Sequence, residues 1–132
     1  MSMDPCTALS EKLQQHPELV YSEAPGYIRI EPPTSHGFAV ELRSAEREFT
    51  VYLGDAGFHE SFTSAEEVLT FVAWCYSGGA RVREMWRGSL PQKAVLEAFE
   101  DGAWGIVSEV RFIFVPFWRG RREVVLENPA LL

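Results

Sequence analysis

The chain has 132 residues, 46% apolar and 13% aromatic, with 19 acidic residues against 12 basic ones and a formal net charge of −7. A chain of this length makes one domain that buries about two-thirds of its extended surface, so a core can form without disulfides or metals. The apolar content excludes a disordered chain, and the acidic balance argues against duplex nucleic acid as a partner.

Asp4 followed by Pro5 is a helix start, and Cys6, Leu9 and Leu13 recur at helical spacing until His16-Pro17 closes the element. Glu18 to Gly26 reads as a connector, and Tyr27 to Ile30 as a short strand stopped by Pro32-Pro33. Phe38, Val40 and Leu42 alternate with Ala39, Glu41 and Arg43, and Phe49, Val51 and Leu53 alternate with Thr50 and Tyr52. With the turn at Ser44 to Arg47 between them, these segments predict an antiparallel hairpin. Gly54-Asp55-Ala56-Gly57 breaks the second strand, and Phe58-His59-Glu60-Ser61-Phe62 follows. Ser64-Ala65-Glu66-Glu67 has the form of a capping box. The helix it opens runs to about Ser77, where Gly78-Gly79 ends it. Its face comprises Ala65, Val68, Leu69, Val72, Cys75 and Tyr76, while Phe71 and Trp74 lie off that face. A helix apolar nearly all round is expected to be covered on two sides.

Arg81 to Arg87 alternates Val82, Glu84 and Trp86 with Arg83 and Met85, the pattern of a strand. Residues 89–101 carry two readings. Ser89-Leu90-Pro91-Gln92 resembles a helix start, whereas Asp101-Gly102 is a hairpin signal with an extended Trp104 to Val110 after it. The second reading, strand–turn–strand, is preferred. Phe112 to Trp118 reads as a strand buried on both faces, with a bulge or edge at Pro116. Arg119 to Arg122 turns the chain, Glu123 to Glu127 pairs back, and Asn128-Pro129 stops it. The fold predicted for residues 1–132 is a single α+β domain, two helices packed on one face of an antiparallel sheet of about six or seven strands.

Motifs that carry chemistry are sparse. No dinucleotide or Walker loop, GxSxG elbow, HExxH or EF-hand pattern occurs. Cys6 and Cys75 have no ligand spacing with one another or with His16, His36 and His59. Neither a metal nor a cofactor is therefore expected. Each thiol sits in an apolar helical pattern as a small hydrophobe, and the two could be bridged if their helices touch. The start Met1-Ser2-Met3-Asp4-Pro5 is not a signal peptide, and the uncharged run Val68 to Ala80 is too short to cross a bilayer. The expectation is a cytoplasmic protein away from membranes and nucleic acid.

Two sets of residues form the candidate site. Asp55, His59 and Glu60 bring two carboxylates and an imidazole into one short segment, and a histidine oriented by an acid can act as a general base. In a regular strand, however, His59 and Glu60 point to opposite faces, which leaves Asp55 as the better partner. Trp86-Arg87 and Trp118-Arg119 place side by side the two residue types favoured at binding hot spots, which makes Trp86, Trp118 and Arg119 candidates. The clusters Arg81/Arg83/Arg87 and Arg119/Arg121/Arg122 read as solvated strand faces and a turn.

The segments Gly57-Phe58-His59-Glu60-Ser61-Phe62, Phe117-Trp118-Arg119 and Val125-Leu126-Glu127-Asn128 resemble the pattern of a group of small uncharacterised bacterial proteins, over about residues 38–128. The resemblance implies no activity and assigns no residue a role. Size and acidity are similar to those of immunity proteins that neutralise bacterial toxins, a likeness of class and not of motif.

Two functions remain open. One is a protein-interaction module, immunity-like and binding a basic partner; a homodimer joined through Phe71 and Trp74 is compatible with either function. The other is a small-molecule-binding or catalytic pocket around Asp55, His59 and Glu60. The absence of a catalytic motif favours the first.

Overall fold

The computed structural model describes residues 4–112 and 118–131. Helix α1 spans Pro5–Leu13, capped by Asp4, whose carboxylate accepts from the Cys6 N–H (3.1 Å) and the Thr7 hydroxyl (3.0 Å). Five strands follow as a meander: β1 Tyr21–Ala24, β2 Tyr27–Ile30, β3 Val40–Ser44, β4 Phe49–Leu53 and β5 Phe58–Phe62. They pair antiparallel in the order β1-β2-β3-β4-β5. Helix α2, Ala65–Cys75, is N-capped by Ser64, whose hydroxyl accepts from the Glu67 N–H at 3.4 Å, and C-capped by Tyr76, after which the chain turns through Gly78 with φ +84°. The second sheet holds β6 Ala80–Arg87, β7 Leu90–Glu100, β8 Ala103–Arg111 and β9 Arg121–Glu127, in the order β8-β7-β6-β9.

The chain is thus α+β and mostly sheet, but its strands form two antiparallel sheets of five and four, not one sheet of six or seven. The split follows from pairing distant in sequence. β9 returns to β6, Val82 opposite Leu126, and local patterning cannot reveal that partner. Within residues 89–101 the chain is strand, β7 Leu90–Glu100, joined to β8 at Asp101-Gly102; Asp101 there takes φ +52°. β1, expected to be connector, pairs with β2 around Pro25-Gly26, proline and glycine being the residues a tight turn prefers. The strand expected at Phe112 to Trp118 lies, apart from its two ends, outside the described residues.

The inner faces of both sheets share one core with the helices. Ile28, Ile30, Val40, Leu42, Val51, Leu53 and Phe58 from the first sheet meet Val82, Ala94, Leu96 and Leu126 from the second, with Leu9, Leu13, Val68 and Val72 from the helices. Both helices rest on the first sheet, and α2 also reaches β6. Cys6 and Cys75 are both free and buried although α1 and α2 touch. Burial, with Asp4 and Glu23 nearby, pushes the Cys6 thiol up to about 11, and burial alone pushes that of Cys75 up as well.

Two buried polar side chains fasten the sheets together. Glu84 of β6 is 2% exposed, and its Oε2 accepts from the N–H groups of Asp55 and Ala56, both at 2.8 Å. Asn128, just after β9, behaves like a strand neighbour of Phe38. Its Oδ1 accepts the Phe38 N–H at 2.8 Å and its Nδ2 donates to the Phe38 carbonyl at 3.1 Å. Gly54, with φ +73°, is required beside the first of these, because a Cβ there would sit 2.5 Å from Glu84 Oε2.

Candidate functional site

Strand β5 decides what the candidate residues can do, because its two faces lead to different places. Register sets His59 opposite Tyr52 and Glu60 opposite Val51. His59 therefore joins the outer face of the first sheet, while Glu60 shares the inner side with Phe58 and Phe62. Asp55 lies in the preceding turn. Its backbone is held by Glu84, and its side chain is exposed.

On the outer face His59 is exposed. Its Nδ1–H donates to the Gly57 carbonyl at 3.1 Å, and its ring lies 5.5 Å from that of Tyr52. No hydrogen bond joins it to Asp55 or Glu60 among the described residues. The imidazole thus has neighbours that fix a tautomer, and no hydrogen-bonded carboxylate among the described residues. It belongs to a row crossing the sheet, Arg29–Glu41–Tyr52–His59 by register. In that region Glu41 accepts from Tyr27 Oη (2.9 Å) and pairs with Arg43 (2.8 Å) and Arg29 (3.6 Å), and Arg43 lies 4.9 Å over the Tyr52 ring. These polar groups engage one another across this sheet face, with Glu41 buried among them.

The other side of β5 leads to a groove. Phe62, Phe71 and Trp74 pack in sequence as tilted rings, with centroids 5.1 Å apart for the first pair and 5.8 Å for the second. Together with Ser64, Glu66, Glu67 and Thr70 they line an open concavity of about 600 Å³ along α2. The rings are half-buried and the two carboxylates exposed. Sequence patterning places Phe71 and Trp74 off the core face of α2, and the structure agrees. As expected, α2 is covered on more than one side, by the first sheet, by β6 and by α1, while its Phe71–Trp74 side opens into this groove.

The remaining candidates meet at the far end of the second sheet. Trp86 lies half-buried, with the Arg122 guanidinium 5.7 Å from its ring. Trp118 is 64% exposed, and Arg119 is exposed beside it. The Arg119 side chain lies over Gly88, and its carbonyl accepts from Arg87 Nη1 at 3.2 Å. The two Trp-Arg pairs, distant in sequence, are therefore neighbours, because β6 and β9 pair there. They do not join Asp55, His59 and Glu60 in any described contact.

Residues that sequence reasoning passed over include Glu41, Glu84, Glu97 and Asn128, the buried polar groups. For Glu84 the signal was available, since strand alternation puts it on the Val82 side. Among the described residues no group of three or more His, Cys, Asp or Glu side chains is placed to hold a metal ion. No helix of the described residues is long and apolar enough to cross a membrane. Compared with protein-family models, curated proteins and solved structures, the chain matches none.

Proposed function

We propose that the protein is a protein-interaction module that receives a basic segment of its partner in the groove along α2. The observation that carries this reading is the row Phe62–Phe71–Trp74 flanked by Glu66 and Glu67. Aromatic faces attract cations, indole most strongly, and partly desolvated contacts of this kind gain about 2 kcal/mol. Two carboxylates beside the rings add a charge preference for lysine or arginine, and the net charge of −7 draws such a partner towards the surface. An immunity-like role, in which the partner is a basic toxin met in the cytoplasm, is the fuller form of the same reading. The alternative, a catalytic pocket around Asp55, His59 and Glu60, has no comparable support: the contacts of His59 are with the Gly57 carbonyl and the Tyr52 ring, and not with Asp55 or Glu60.

The probe for this reading is an octa-arginine peptide, titrated calorimetrically at about 0.05 M salt, where electrostatic screening is weak. Trp74→Ala or Phe71→Ala should weaken binding by about tenfold, while His59→Ala leaves it unchanged. Equal affinities for wild type and both groove variants would overturn the assignment. So would equal affinity for a neutral glycine–serine octapeptide.

A further inference from the structure

We propose that β8 is a self-association edge, along which two copies of the chain pair antiparallel and join their four-stranded second sheets into one continuous sheet. This surface is separate from the α2 groove and does not depend on it.

The two sheets end in four edge strands, β1, β5, β8 and β9. An edge left open presents unpaired N–H and C=O groups and is a template for another strand. Three of the four are blunted. β1 is four residues long, and β5 lies against β7 and β8. β9 carries charges at Arg121, Arg122, Glu123 and Glu127, and its Glu127 N–H donates to the His36 carbonyl at 2.8 Å. β8 differs. It is nine residues long and holds no lysine or proline, and its first half, Ala103 to Val107, has no charge. Ile106 is 64% and Val107 55% exposed, with Ala103 and Gly105 exposed beside them. Among the described residues no strand pairs with β8 on the side away from β7.

Hydrogen bonding shows which backbone groups face that open side. The Phe112 N–H donates to the Gln92 carbonyl at 3.1 Å. Bonded and non-bonded pairs alternate in an antiparallel ladder, so Glu109 and Arg111 turn their backbone groups away from β7. At the other end the two-residue turn Asp101-Gly102 closes on Glu100 and Ala103, and the Phe99 N–H donates to the Gly79 carbonyl at 2.9 Å, not to β8. Trp104, opposite Phe99, and Ile106 therefore also turn their backbone groups outward. A register shift that leaves Val107 without a partner in β7 separates the two pairs.

The pattern is its own complement. A two-fold axis between Val107 and Ser108 sets Trp104 opposite Arg111 of the second copy and Ile106 opposite Glu109 of the second copy. Outward backbone groups then meet outward backbone groups, and bulge meets bulge. All four side chains stand on the outer face, opposite Phe99, Lys93, Glu97 and Val95 of β7. The antiparallel arrangement brings the charged half of each strand against the uncharged half of the other. A parallel one would set Glu109 against Glu109 and Arg111 against Arg111, and like charges directly opposite are destabilising. The Trp104 ring has the Arg81 guanidinium 4.3 Å from its centroid, and the pairing adds Arg111 of the second copy, 69% exposed in one chain, beside that aromatic group.

The test is sedimentation velocity on the full chain from about 10 to about 1,000 μM at about 0.15 M salt. The dimer fraction should grow with concentration. Ile106→Glu, which opposes two carboxylates across the junction, should weaken dimerisation at least about tenfold. Ile106→Lys at the same position meets Glu109 and should leave it equal or tighter. Val125→Glu, on the β9 edge, should change nothing. Amide hydrogen exchange of the wild-type protein supplies a readout that needs no variant: the N–H groups of Trp104, Ile106, Glu109 and Arg111 should exchange more slowly as concentration rises. A monomer at every concentration, or a dimer in which those four amides exchange at the dilute rate, would overturn the proposal. So would Ile106→Lys weakening the dimer as much as Ile106→Glu, or a dimer lost in Trp74→Ala and kept in Ile106→Glu, which would place the junction in the α2 groove.

Discussion

The two faces of β5 carry opposite solutions to the same problem of placing polar and aromatic groups at a surface. On the outer face, His59 and Tyr52 lie in a row of mutually engaged side chains, and the turn before the strand is anchored from beneath by Glu84. On the inner side, Phe62 leads to Phe71 and Trp74, rings that contact one another along an open groove. Chemically suggestive residues in a short segment can therefore be architecture, while an unremarkable helix face carries the open aromatic groove.

The largest expected effect tests the architectural side. Glu84→Ala should cost about 3 kcal/mol, because the Asp55 and Ala56 N–H groups both lose their acceptor in a buried setting. A chemical-denaturation midpoint close to wild type would show that water reaches the junction and that the hairpin is not held from beneath. Asn128→Ala should cost about 2 kcal/mol, since the N–H and carbonyl of Phe38 lose their partner together. Ser64→Ala, on the groove side, should cost about 1 kcal/mol through loss of the α2 cap.

Tyr76→Phe should move stability the other way. The Tyr76 hydroxyl is buried with no hydrogen-bond partner among the described residues. Removing it should stabilise the fold by up to about 1 kcal/mol, and a destabilised variant would reveal a partner for that oxygen. The smallest effect belongs to His59→Ala, within about 0.5 kcal/mol, as expected for an exposed residue. A loss above that would mean that the Tyr52 and Gly57 contacts bind the hairpin together.

The thiols supply a pH check on the core beneath both faces. Burial holds the Cys6 thiol near 11 and that of Cys75 higher still, so both are protonated at pH 8. Neither should react with a thiol-specific reagent in the folded protein at about pH 8, and both should react once it is unfolded. Rapid labelling of the native chain would mean that α1 opens away from α2.

Local patterning made much of this legible. The β3–β4 hairpin, both helix caps and the opposite faces of His59 and Glu60 follow from alternation and capping chemistry. β1 left no such trace, because as an edge strand it contributes no fully buried side chain and so no apolar alternation. The division into two sheets depends on β6 meeting β9, a pairing that no window of neighbouring residues contains. The same applies to the candidate site. Tyr52 as the neighbour of His59 requires the hairpin register, and the approach of Arg119 to Arg87 and Gly88 requires the second sheet. For Phe71 and Trp74, sequence showed that they leave the core but not that they open onto a groove with Phe62.

The most direct test of the central claim is a map of backbone amide chemical shifts in the labelled protein as octa-arginine is added. The account predicts that the largest changes fall on the groove residues Phe62, Glu66, Glu67, Phe71 and Trp74, with those of Asp55, His59 and Glu60 small. Changes centred on Asp55 to Glu60, or spread evenly over every acidic surface, would contradict it.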